Sequence, residues 1–135
     1  MTTTAQIDVL LPFLDKFTVD GFQAGTWQSP PGQLPWLDYQ DSVIKFQKLL
    51  YEHGWIDPFD WVAWRTTAQE YILQPNKLAS ADLDVLRKLL TTHVRQDRFC
   101  EGHLASMFQN GHIVAILQRL KGIRQELTED GNLDD

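Results

Sequence analysis

Cysteine is almost absent from this chain: Cys100 is the single one in 135 residues. An intrachain disulfide framework is therefore excluded, and a lone thiol suits a reducing compartment. Histidine is scarce as well, with four residues, and methionine occurs twice. No apolar run approaches the roughly 20 residues that a membrane helix needs, so no membrane partner is expected. The opening stretch MTTTAQIDVLLPFL has no basic region before its short apolar segment and makes a poor secretory signal. The expected location is cytoplasmic. Internal repeats of solenoid length are missing too.

What is present is enough for one domain with a core. Hydrophobic residues make up 43% of the chain, and a domain of this size buries roughly two-thirds of its unfolded surface. The net charge of −6 is uneven: −4 over residues 1–80, +2 over 81–127 and −4 over 128–135. An acidic chain repels phosphate backbones, which makes nucleic acid an unlikely partner, although the C-terminal half is mildly basic. The expected organisation is a single helical domain over 1–127 with an acidic, flexible tail over 128–135.

Helical periodicity dominates. Ile7, Leu10, Leu11, Leu14 and Phe17 place a helix over 5–17, with Pro12 kinking it or marking its true start. Further helices are predicted over 41–53, 58–72, 80–95, 102–110 and 112–127. Gly54 is a natural stop for the first of these, Asp57-Pro58 a start for the next, with Asp60 also reading as a cap, and Pro75 its end. Ser80 reads as the cap of the helix after that. Residues 18–39 form a long connector rich in Gly, Pro and Trp. Loops of this length are often functional or packed by their own side chains, here Phe22, Trp27, Trp36 and Tyr39. A short hairpin around 21–28 is compatible with it. Trp61 and Trp64, one turn apart, are expected to bury together. The fold class expected is all-α: a compact bundle of five to six helices.

Chemically versatile side chains concentrate in one segment, DRFCEGHLASMFQNGHIVAILQRLK, residues 97–121. It contains Cys100, His103 and His112, and a short duplication, Gly102-His103-Leu104 and Gly111-His112-Ile113. This segment, with Phe59-Asp60-Trp61, Trp64 and Leu89-Leu90-Thr91, resembles a bacterial family of uncharacterised proteins marked by RFCEGHL, then GHI and ILQRLK. The resemblance covers most of residues 5–125. It implies a small helical protein and supplies no substrate, cofactor or catalytic residue.

Three constellations carry possible chemistry. His93, Asp97, Cys100 and His103 follow one another at helical spacing, and all are ligand types for zinc or a similar ion. A single C-x-x-H is common by chance, so no metal and no cofactor is expected, with these four as the residues that would hold one. Cys100 and His103 could instead form a nucleophile–base pair, because a helix start and Arg98 would stabilise a thiolate. More ordinary is a packed thiol. His112 lies roughly 12–14 Å from His103 along a continuous helix, which sets it apart in a structural role unless it joins His93. Imidazoles at helix starts are disfavoured as cations, and a neutral ring can bridge two segments. Buried histidines joining the last three helices are therefore the preferred account. Arg98, Arg119, Lys121 and Arg124 would form a basic patch able to hold an anion.

The leading expectation is a non-enzymatic binding or regulatory module that takes a small ligand or a protein partner through Arg98, Cys100, His103 and Arg119, with a homodimer compatible. A metal-dependent or Cys–His hydrolase-like enzyme centred on 93–103 is the first alternative. Nucleic-acid binding through the basic face of 98–124 is the second. A helix-turn-helix fits poorly, because Ala105 and Gly111 are six residues apart.

Overall fold

Residues 3–129 are described by a computed structural model. Proline lacks the amide hydrogen that a helix interior needs, and the N-terminal helix divides at Pro12. Helix α1 spans Thr3–Asp8 and α2 spans Phe13–Phe17, with Pro12 at the start of α2. The connector then forms a hairpin, β1 (Gly25–Gln28) paired antiparallel with β2 (Trp36–Tyr39). Helices α3 (Asp41–Glu52), α4 (Trp61–Leu73), the single turn α5 (Pro75–Leu78), α6 (Leu83–Asp97), α7 (His103–Gln109) and α8 (His112–Glu129) complete the chain.

The fold is thus mostly helical but not purely α. The hairpin lies later than residues 21–28, because the proline-rich stretch 29–35 supplies its loop instead of ending it. Trp27 pairs with Leu37 and Gly25 with Tyr39. Glycine at 25 is required by the pairing: a Cβ there would lie 2.7 Å from the Asp38 carbonyl oxygen.

At two helix starts the structure selects among the candidate caps. Asp60, not Asp57, caps α4 by accepting from the Ala63 amide at 3.1 Å. The Asp57 amide is instead drawn to the Thr91 hydroxyl of α6, at 3.1 Å. Asp82, not Ser80, caps α6 by accepting from Val85 at 2.9 Å, while the Ser80 hydroxyl turns back to the Lys77 carbonyl. Pro75 ends α4 as expected but also opens α5. Helix α8 continues to Glu129, two residues into the expected tail; the remaining tail residues, 130–135, lie outside the described ones.

The core forms where α8 crosses its neighbours. This helix touches α1, α2, α5, α6 and α7, and its Ile113, Ile116, Leu117 and Leu120 are fully buried. Leu86, Leu89 and Leu90 of α6 and Val43, Phe46 and Leu50 of α3 join them. At one end, Phe17 packs edge-on against Phe46 and Phe108, with ring centroids 5.2 and 4.7 Å away, and also meets Phe13 and Phe22. Edge-to-face pairs add stabilisation beyond the area they bury.

Trp55 is the tryptophan that enters the core; its indole donates to the Gln6 carbonyl at 3.1 Å. Trp61 and Trp64 do not bury together. Trp61 stacks on the exposed Phe99, and Trp64 lies between Phe59 and Tyr71. Among the described residues no helix is long and apolar enough to cross a membrane.

Candidate functional site

Residues 98–102 form the turn between α6 and α7. The Phe99 and Cys100 amides both return to the Gln96 carbonyl, which closes α6. Gly102 then takes φ +96°, a left-handed conformation that glycine adopts without strain. A Cβ at this position would also lie 3.1 Å from the Trp27 ring, so the turn and the hairpin are fitted to each other.

The hairpin is bound to this turn by two acidic side chains. Asp97 accepts from the Tyr39 hydroxyl at 2.8 Å and from the Leu104 amide at 3.0 Å. The Tyr39 oxygen in turn accepts from the Ala105 amide at 3.2 Å. Together they satisfy two of the orphan amides at the start of α7. Burial and the Asp97 carboxylate both push the Tyr39 phenol upward, so it stays protonated and remains a donor. Glu101 accepts from the Leu37 amide at 3.0 Å. These bonds span sequence separations of 58 to 66 residues, and no local pattern announces them.

Beneath the turn the last three helices each contribute one histidine. His93 of α6 is 1% exposed; its Nδ1 lies 3.0 Å from His103 Nε2 on α7. Its ring also meets that of His112 on α8 edge-on, with centroids 4.9 Å apart. The continuous-helix estimate that separated His112 from His103 does not apply, because the chain reverses at Asn110-Gly111. Gly111 takes φ +83°, and Asn110 Oδ1 accepts from the His112 amide at 2.9 Å. His112 therefore joins the cluster through His93. Burial lowers the proton affinity of all three rings, and His112 is pushed down to about 4. The Asp97 charge partly opposes this at His103. Nε2 of His93 and Nε2 of His112 are buried without a hydrogen-bond partner among the described residues.

A metal site of His93, Asp97, Cys100 and His103 is not assembled. Among the described residues, no three His, Cys, Asp or Glu side chains are grouped to hold an ion. Asp97 is engaged by Tyr39 and α7, and Cys100 is exposed. Cys100 and His103 do not form a hydrogen-bonded pair, and His103 bonds to His93 instead. Cys100 is therefore expected to react with a maleimide in the native protein as fast as in the unfolded chain. Labelling that requires denaturant would contradict its exposed position.

The basic residues are dispersed. Arg98 donates to the Tyr51 hydroxyl at 3.1 Å, beside Arg95. Arg119 donates to the Ala81 carbonyl at 2.8 Å and lines a shallow depression beside α5. Arg124 pairs with Asp8 of α1 at 2.9 Å.

A groove emerges where sequence reasoning had only marked a Trp-rich connector. It encloses about 760 Å³ between β1, the loop before it and α7. Phe17, Phe22, Trp27, Leu37 and Phe108 give it apolar surface, and Thr18, Asp20, Gln23, Thr26 and Gln109 give it polar surface as well. Trp27 is 53% exposed there. Across the 18–24 loop lies a second depression of about 870 Å³, whose charged residues are Asp20, Asp38 and Asp41 against Lys16. An exposed tryptophan beside a groove lined by both apolar and polar side chains is a common feature of ligand and partner sites.

A family model described as a family of unknown function, DUF6508, matches residues 2–126. The chain belongs to DUF6508. The match includes the hairpin, the histidine cluster and both walls of the groove, so these elements lie within the DUF6508 domain. No curated protein and no solved structure matches the chain.

Proposed function

We propose that this DUF6508 chain is a binding module that receives an apolar group in the groove between β1 and α7. The observation that carries this is the groove itself: aromatic walls on a helical scaffold, with Trp27 half in solvent over Gly102. Its walls are pre-formed. Asp97 and Glu101 fix the hairpin to α7, so little ordering would accompany binding, and preorganisation of this kind favours affinity. The histidine cluster joins α7, which carries one wall, to α6 and α8.

Nile red, an uncharged apolar dye, tests this without knowledge of the natural ligand. It is expected to bind the native chain at neutral pH with a blue-shifted emission. Trp27→Ala and Phe22→Ala should each weaken binding about tenfold while the circular dichroism spectrum stays unchanged. Dye binding equal in all three proteins, or seen only in partly unfolded protein, would overturn the assignment.

A further inference from the structure

One edge of the hairpin is closed and the other is open. The Gln40 amide bonds to the Ala24 carbonyl at 2.8 Å, which fixes the phase of the ladder. In an antiparallel pair, bonded and non-bonded pairs alternate, so Gly25–Tyr39 and Trp27–Leu37 are non-bonded pairs whose backbone groups point outward. On β2 those groups meet the protein body: Leu37 donates to Glu101. On β1 the outward amides and carbonyls of Gly25 and Trp27 have no partner among the described residues. Exposed edges are usually blunted by lysine, proline or a bulge. The β1 sequence Gly25-Thr26-Trp27-Gln28 carries none of these.

The surroundings of this edge differ on its two faces. Side chains alternate across a strand, so Trp27 and Leu37 share the face toward α7 and the groove. Thr26 and Asp38 share the opposite face, which borders the depression where Asp20, Asp38 and Asp41 outnumber Lys16; Asp20 and Thr26 line the groove as well.

We infer that β1 receives a short extended peptide of a partner protein, paired to the outward backbone groups of Gly25 and Trp27, with alternating apolar and basic side chains. The apolar ones enter the groove beside Phe22 and Phe108. The basic ones face Asp20, Asp38 and Asp41. Strand addition of this kind takes affinity from main-chain bonds and specificity from alternate side-chain pockets. Charge complementarity fixes the register and the sign of the partner. This inference rests on the groove being a binding site and adds the class of its occupant.

The test uses the full chain and three capped six-residue peptides, followed by tryptophan fluorescence and calorimetry. One alternates lysine with phenylalanine. The second replaces each lysine by glutamate. The third is the lysine peptide methylated on its backbone nitrogens. The lysine peptide is expected to bind, and the other two to bind at least tenfold more weakly. Asp38→Asn together with Asp20→Asn should weaken the lysine peptide severalfold and leave Nile red untouched. Equal binding of lysine and glutamate peptides, or no loss on methylation, would overturn the inference. So would a chain that is dimeric at working concentration and becomes monomeric on Trp27→Ala, which would make a second copy the occupant. If Nile red binds as expected while no peptide does, the groove stands and the peptide is wrong; if the dye also fails, both fall.

Discussion

Lowering the pH from 7 to 4 is expected to destabilise this protein steeply, and His112→Phe is expected to flatten much of that loss. In the unfolded chain each histidine titrates near the ordinary value of about 6.5. In the folded chain His93, His103 and His112 all bind protons less readily, chiefly because they are buried. The unfolded state therefore holds more protons across this range, and stability rises with pH. The contribution is complete above about pH 6.5 and is lost as the pH falls toward the folded-state values, about 4 for His112. A tenfold change in proton affinity is worth about 1.4 kcal/mol, so His112 alone accounts for about 3 kcal/mol at pH 4. Against a total stability on the order of 5–15 kcal/mol, that is a large share.

The charges that act on the three rings differ. The Asp97 carboxylate acts on His103, and the His103 cation can still donate through Nε2 to His93 Nδ1. A second proton has no such support: the charges acting on His93 are His112 and His103, and on His112 it is His103. Phenylalanine at 112 keeps the edge-on contact with His93 and removes a buried nitrogen that has no partner. At pH 7 the variant should lie within about 1 kcal/mol of the native chain, because an unsatisfied buried polar atom contributes nothing favourable. Urea unfolding of both proteins at pH 7, 5.5 and 4 decides the matter. Parallel loss of stability in the two would show that carboxylates, not the histidine junction, govern acid unfolding.

Asp97→Ala is expected to cost about 3 kcal/mol, and Tyr39→Phe about half as much. Hydrogen bonds to a charged group contribute about 1.5–3 kcal/mol, and loss of a helix cap costs about 1. Alanine at 97 removes the acceptor for both the Tyr39 hydroxyl and the Leu104 amide. Phenylalanine at 39 removes one bond to Asp97 and the acceptor for Ala105, but leaves the Leu104 cap intact. The two side chains share a bond, so the double variant should cost less than the sum of the singles. Amide exchange offers a second readout: Leu104, Ala105 and Leu37 should lose protection together in Asp97→Ala. If Leu37 keeps its protection, the hairpin is held by Glu101 alone.

Much of the helical frame was legible because periodicity is local. The apolar stripes of α3, α6 and α8 lie where the spacing puts them, and Pro12 divides the first helix as proline must. The caps were legible only in kind. Asp57 and Ser80 are capable caps, but a tertiary bond to Thr91 engages the first segment and a local bond to the Lys77 carbonyl takes the Ser80 hydroxyl, and Asp60 and Asp82 cap instead. The hairpin was placed too early because its pairing joins residues across a proline-rich loop with no short-turn signature.

The histidines show the same division. That they sit at helix starts and tend to be neutral followed from Gly102-His103 and Gly111-His112. That His112 meets His93 depends on the reversal at Gly111 and on helix packing, which spacing along one helix does not contain. The linkage of Tyr39 to Asp97 across 58 residues had no signal in the sequence at all.

The groove has a further consequence for how its surface can be handled. One wall, β1, is made by residues 25–28 and the other, α7, by residues 103–109. Between them lies most of the chain, including all of α3, α4 and α6. No excised fragment and no grafted linear motif can therefore reproduce this surface; transplanting it to another scaffold means transplanting nearly the whole domain.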